Sequence, residues 1–315
     1  MHTEAAVVRS FDAPPRYEQI DVPDPTDREV ALDVLAVGLH PRVRSGASGA
    51  HYTSSGRLPM VPGVDGVGRL DDGSLVYFAV DDDVSGSMAR RLAVDPRRTV
   101  PLPAGTDPVL VAAAMNPAMS SWTALRRRTR LQPGQSVLVL GATGNAGGMA
   151  LQVARLLGAG RVVGAGRDAA ALARLDADAT VRLDQSETAA ALADAAAEVD
   201  VVVDYLWGPP AMAAMEAILR ARSDRSRPLD WVQVGSVAGR TAELPSALLR
   251  QAGLRVMGSG QGSVSLAGYV AELPALVEQL AAGALTVRTR TAPLADVERV
   301  WGEPDEQGVR TVLVA

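Results

Sequence analysis

With 315 residues, 47% of them hydrophobic and 21% charged, the chain has the length for two domains and the composition of a globular protein. Its net charge of -5 argues against a nucleic-acid surface or a polybasic membrane patch. There is no cysteine and all 31 basic residues are arginine, which excludes a disulfide framework, a thiolate metal site, a Schiff-base or Walker lysine, and the Tyr-x-x-x-Lys pair of short-chain dehydrogenases.

The amino-terminal stretch MHTEAAVVRSFDAPP has an early acid and no apolar core of leader length, and no run approaches a membrane span, so a cytoplasmic protein is expected. The runs AAVVRSF, EVALDVLAVGL, GVGRL, SLVYFAV and RRLAVDP, punctuated by Gly, Pro and Asp, predict a β-rich first third. From about Pro117 the texture changes. The apolar strands VLVLG, RVVGAG, ATVRL, VDVVVDY, WVQVGS and LRVMGSG alternate with Ala-rich helical patterns such as GGMALQVARLLGA and PPAMAAMEAILRARS, the pattern of a doubly wound parallel sheet. Between Pro117 and the first of these strands, RRRTR at 126 to 130 reads as the solvated end of a helix. After residue 260 a helix, YVAELPALVEQLAAG, leads through TVRTRTAPLADVERVWG to a last strand, GVRTVLVA, expected to rejoin the first domain. The predicted division is therefore residues 1–116 with 261–315 in one domain and 117–260 in the other.

A strand followed at once by Gly141-Ala-Thr-Gly144-Asn-Ala-Gly147-Gly148 and a helix is the context in which a glycine motif binds a dinucleotide. Gly144 lets a pyrophosphate approach the backbone, Gly147 lets the helix close on the strand, and Asn145 and Ala146 open the helix whose N–H groups face the anion. Ala142 stands where the first glycine of G-x-G-x-x-G usually does. Some 20 residues beyond the turn, an NAD-binding unit places an acid on the ribose 2′-hydroxyl. Here VVGAGRD puts Gly166 near that position and Arg167 next to it. A glycine makes room for a 2′-phosphate and a guanidinium pairs with it, so NADPH is the expected cofactor.

The segments EVALDVLAVGLHPRVRSG, VPGVDGVG, SSWTALRRRTRLQPGQSVLVLGATGNAG and WVQVGSVAGRTAELPSALLRQAGLRVMGSG give the chain a resemblance to zinc-independent medium-chain dehydrogenases/reductases of the quinone oxidoreductase type. That resemblance implies an α/β protein with a GroES-like β-rich catalytic domain and a Rossmann doubly wound parallel-sheet domain binding NADPH. Alanine at the Ala142 position is common in the quinone-reductase branch. The positions that hold catalytic zinc in related alcohol dehydrogenases carry His40, Val64 and Asn116, a set unsuited to the metal. The segment AVDDDVSGSMARR is too short for their structural zinc lobe. No metal is expected.

The resemblance further implies that Ser120 and Ser121 approach the nicotinamide, with Trp122 as a packing residue. Gly235 and Ser236 after the fifth strand, and Gly258, Ser259 and Gly260 after the sixth, are expected to line the cofactor site, although turn chemistry explains these glycines nearly as well. Asp65 is read as a structural acid binding backbone at a tight turn. His40 is the candidate for orienting or protonating the acceptor, with a buried structural histidine as the alternative. Tyr52 is the reserve donor, and His51 a weaker one. The reaction implied is NADPH-dependent hydride transfer to a quinone or a carbonyl-conjugated alkene. A metal-free carbonyl reductase and a non-catalytic NADPH-binding protein remain open. Pairing of the LRVMGSG edge strand across a twofold axis would make a homodimer.

Overall fold

The computed structural model describes residues 1–80 and 84–315. The segment 79–91, read above as too short for a zinc lobe, includes residues 81–83, which lie outside the described residues. The chain divides into two compact units, Met1–Asn116 with Val270–Ala315, and Pro117–Tyr269. Residues 261–269 thus group with the second unit, where the Arg128 guanidinium donates to the carbonyls of Gly258 and Ser263 at 2.9 and 3.2 Å. Within RRRTR, Arg126, Arg127 and Arg130 are exposed, and only Arg128 and Thr129 are half-buried. Arg126 also lies 5.0 Å from the Trp122 ring centroid, and Trp122 is buried.

The first unit opens with a two-stranded antiparallel sheet of β1 (His2–Val7) and β2 (Arg16–Asp21). Then follow β3 (Val30–Leu39), α1 (Pro41–Ala47), β4 (Asp65–Leu70), β5 (Leu75–Ala79), β6 (Arg91–Val94), β7 (Thr99–Pro101) and α2 (Pro108–Thr123). Proline at N1 starts α1 because the missing N–H is one the first turn leaves unused. β3 is the longest strand of this unit; alternation places Leu32 and Val34 in a core with Val76, Phe78, Leu92 and Leu313, and a register shift between Val34 and Ala36 adds Val37 to it.

Ala124–Arg128 continues α2 as a π-helical turn, and the second unit then alternates strand and helix. Its elements are β8 (Ser136–Leu140), α3 (Asn145–Leu156), β9 (Arg161–Gly166), α4 (Ala169–Leu172), β10 (Ala179–Arg182), α5 (Thr188–Ala196), β11 (Val201–Asp204), α6 (Gly208–Ala221), β12 (Leu229–Gln233), α7 (Ser246–Arg250) and β13 (Leu254–Gly258). All neighbouring strands pair parallel, in the order β10-β9-β8-β11-β12-β13. The order reverses between β8 and β11, which makes their carboxyl ends the switch point of a doubly wound sheet. β13 forms one edge.

The predicted helix after residue 260 is two pieces, α8 (Leu266–Val270) and α9 (Leu273–Ala281), with Pro274 in the first turn of the second. β14 (Arg288–Pro293), α10 (Val297–Gly302) and β15 (Val309–Val314) finish the chain. β15 pairs antiparallel with β3, so the carboxyl-terminal strand completes the seven-stranded sheet of the first unit. Among the described residues, no helix is long and apolar enough to cross a membrane.

Candidate functional site

In the second unit the glycine turn closes tightly at the end of β8. Gly141 adopts a φ of 85°, and its N–H and that of Ala142 both donate to the Ala165 carbonyl at 2.9 Å. The left-handed conformation therefore falls on Gly141, and Ala142 is fully buried beneath the turn. Gly144 caps α3 from extended backbone, and a Cβ on Gly147 would collide with the Gly141 carbonyl. Ala146 and Gly147 lie in the first turn of a twelve-residue helix, where N–H groups have no intrahelical acceptor and the helix dipole favours an anion.

The end of β9 shows why Gly166 has no side chain. A Cβ there would meet the Thr143 side chain at 2.6 Å, so the glycine is first a packing requirement of the turn itself. Arg167 is exposed. The acid that follows, Asp168, is turned away to cap α4, its carboxylate accepting from the Ala171 N–H at 2.8 Å. Arg182, the register partner of Gly166, is held by Asp184 at 2.7 Å. The end of β9 thus pairs a position without a side chain with an exposed guanidinium, and its one acid is engaged by a backbone N–H, an arrangement compatible with a dinucleotide that carries a 2′-phosphate.

Beyond β11 the structure reveals a residue the sequence reading missed. Tyr205 is buried, and its hydroxyl lies 2.8 Å from Ser120 Oγ. Burial pushes the phenol up to about 12, against the opposing effect of its hydrogen bonding with Ser120 and Ser121. Ser120 also donates to the Pro117 carbonyl at 2.7 Å, and the fully buried Ser121 donates to Ala118 at 3.1 Å. Gly235 is confined by the same tyrosine, for a Cβ there would lie 2.7 Å from the Tyr205 carbonyl. The signal available in the sequence was an aromatic residue directly after a strand at the switch point. Ser259 is buried and donates its N–H to Gln233, whereas Gly258 has open space where a Cβ would sit. Gly260 N–H donates to Ser263 Oγ, and Ser236 accepts from the Gly239 N–H.

In the first unit His40 caps α1 with its backbone, its carbonyl accepting from Val43 and Arg44. The ring is 2% exposed, and Nε2 stands 3.6 Å from Asp65 Oδ1. Burial holds the imidazole below its ordinary pKa, the Asp65 carboxylate opposes this, and Arg310 and Arg42 reinforce it. Asp65 does not serve a tight turn as expected. It begins β4, and its Oδ2 accepts from the Tyr77 hydroxyl on β5 at 2.9 Å. Tyr52, by contrast, is 70% exposed on the loop after α1, with its ring tilted against that of His51 at a centroid distance of 4.3 Å. His51 shares a hydrogen with Thr53 Oγ1, and burial, then Arg42, lowers it to about 4. Among the described residues no group of three or more His, Asp or Glu side chains is arranged to hold a metal ion.

No family model matches the chain. It is 34% identical, over 356 aligned positions spanning 98% of this chain and 99% of the relative, to a probable NADPH-dependent quinone reductase of Emericella nidulans. The chain belongs to the quinone oxidoreductase family of medium-chain dehydrogenases/reductases. A rat quinone oxidoreductase is 33% identical over 148 residues, 44% of each chain. The quinone oxidoreductase of Thermus thermophilus, solved also in complex with NADPH, superposes with a TM-score of 0.81 at 25% identity, covering 99% of this chain and 100% of that one. A Pseudomonas syringae quinone oxidoreductase shares the fold with a TM-score of 0.84 at 19% identity, over 99% of this chain and 100% of that one. In this chain the glycine turn after β8 and Tyr205 after β11 sit at the adjoining strand ends where doubly wound sheets bind their ligands.

Proposed function

We propose that the protein is an NADPH-dependent reductase that delivers hydride to a quinone or to an alkene conjugated to a carbonyl. The observation that carries this reading is the end of β9, where Arg167 is exposed beside a glycine and Asp168 is spent on the cap of α4. Gly144, Asn145, Ala146 and Gly147 would hold the pyrophosphate at the start of α3, and Arg167 the 2′-phosphate. Ser120, Ser121, Gly235, Ser236, Gly258, Ser259 and Gly260 would border the nicotinamide. When bound, the reduced nicotinamide supplies the hydride. His40 orients the acceptor oxygen or gives it a proton.

Fluorescence titration with NADPH and NADH, followed by turnover on a panel of quinones, enones and simple ketones, tests the proposal. Tighter binding of NADPH with reduction of quinones or enones is the expected result. Turnover of simple ketones alone would favour a metal-free carbonyl reductase, and NADPH binding without any turnover would favour a non-catalytic role.

A further inference from the structure

His40 and Asp65 form an unusual buried pair. Their side chains are 2% and 4% exposed, yet the Nε2 to Oδ1 separation of 3.6 Å is wider than a charge-assisted hydrogen bond. His40 Nδ1, His40 Nε2 and Asp65 Oδ1 consequently have no hydrogen-bond partner among the described residues. Leaving such groups unpaired in the interior is costly, so a pair serving only the fold would be expected to close.

The surrounding contacts fix the two backbones and leave the side chains poised. Ser87 Oγ donates to the Asp65 carbonyl at 2.7 Å, and Arg310 donates to the Leu39 carbonyl, next to His40, at 3.0 Å. Tyr77, fully buried on β5, holds the far oxygen of the carboxylate. The titratable and charged groups that face the imidazole are thus Asp65 from β4, Arg310 from β15 and Arg42 from α1.

We infer that Asp65 is the positioning residue of His40: from the open 3.6 Å separation its carboxylate closes onto Nε2–H when the ring works, which leaves Nδ1 as the nitrogen that acts. The inference rests on the reading of His40 as the group that meets the acceptor. A carboxylate only accepts hydrogen bonds, so an imidazole closed onto Asp65 carries its hydrogen on Nε2. The neutral ring then offers a lone pair at Nδ1, and the protonated ring offers Nδ1–H.

When bound, NADPH would supply the hydride with its electron pair, and the displaced π electrons would leave the acceptor's carbonyl oxygen in need of a proton. The Nδ1–H bond breaks, its proton joins that oxygen and its electron pair stays on Nδ1. What remains is a protonated product oxygen and a neutral imidazole held by Asp65, the electron pair having been supplied by the hydride. A solvent proton restores the ring. Asp65 therefore governs both which nitrogen acts and how readily the ring is protonated, against the opposing influence of burial, Arg310 and Arg42.

The experiment is ring ¹⁵N–¹H spectroscopy of the full chain, with and without NADPH, on wild type and Asp65→Asn, alongside pH–rate profiles of both. The chain has three histidines, so single substitutions of His2 and His51 assign the spectrum. Neutral His40 is expected as the Nε2–H form in wild type and, at least in part, as the Nδ1–H form in Asp65→Asn, whose amide donates to Nε2. The descending limb of the rate, where His40 loses its proton, should move to lower pH by about one unit or more once the carboxylate is gone.

An Nδ1–H form in wild type overturns the inference. So does Asp65→Asn with an unmoved limb and an unaltered tautomer. If Asp65→Asn does not fold, the wild-type tautomer decides alone. Full activity in both His40→Ala and His40→Asn would instead overturn the proton-donor reading, and the spectrum would still report whether Asp65 holds the ring.

Discussion

Asp65 in the first unit and Asp204 in the second are both buried, and the two are treated in opposite ways. Asp204, at the end of β11, is fully enclosed and has its oxygens filled by the fold. The N–H groups of Leu206 and Trp207 donate to one oxygen at 2.8 and 3.0 Å, and the Trp231 indole donates to the other at 3.0 Å. Asp65 has one oxygen occupied by Tyr77 and the other facing a histidine it does not reach. Equal burial and equal chemistry thus lead to a brace in one unit and an open valence in the other. Burial alone does not separate structure from function. Between these two acids, the hydrogen bond left unmet draws the distinction.

Breaking the brace should have the largest effect. Asp204→Ala strands three donors at once, one of them on Trp207, whose φ of 53° depends on the turn they hold. At 1–3 kcal/mol per orphaned group, a loss of roughly 3 kcal/mol or more is expected in urea denaturation. Asp65→Ala should lose clearly less. Equal losses would erase the distinction.

The open valence should show itself in rate and not in stability. His40→Ala is expected to lower turnover by roughly ten- to a thousandfold, overlapping the contribution of a positioned acid or base, while NADPH affinity stays near wild type. His40→Asn should be milder, since an amide still donates a hydrogen bond. Steady-state kinetics beside cofactor titration separates the two effects, and unchanged turnover in both variants would leave His40 structural.

The same contrast recurs between neighbours at the end of β9, where Asp168 is consumed by a cap and Arg167 stays exposed. A hydrogen bond to a charged group contributes roughly 1.5–3 kcal/mol, so Arg167→Ala should weaken NADPH by about ten- to a hundredfold and leave NADH nearly unchanged. Parallel loss for both cofactors would assign Arg167 to the fold.

The smallest effect concerns acid stability. His40 and His51 both titrate below their ordinary value of 6.5 in the folded chain, His51 near 4, with burial as the first cause. An unfolded chain protonates these rings first as the pH falls, so the native state loses stability below about 6.5 and keeps the full contribution above it. Denaturation midpoints from pH 7 to 4 should fall with this slope. His51→Gln and His40→Asn should each flatten it, and an unaltered slope in both would mean that carboxylates alone set the acid limit.

Much of the architecture was legible in the sequence because its determinants are local. Strand and helix periods, the glycine turn with Gly147 against Gly141, and the six apolar strands of the second unit all follow from neighbours a few residues apart. β2 escaped because RYEQID pairs only with β1 and lacks an apolar alternation, and the long helix after residue 260 was divided by the turn at Glu272 and Pro274. Composition alone removed cysteine and lysine chemistry.

The tertiary structure decided what stands opposite what. Asp65 against His40, Tyr205 against Ser120, and the Thr143 side chain over Gly166 join segments whose separation in sequence carries no periodicity. The pairing of β4 with β5 sets Asp65 opposite Ala79 and brings Tyr77 onto the carboxylate, and parallel pairing of β9 with β10 sets Arg182 opposite Gly166. Such contacts depend on strand order and register, which arise when remote segments bury their apolar faces together. The sequence therefore specified the residue types available for chemistry, and packing selected which of them kept an unused hydrogen bond.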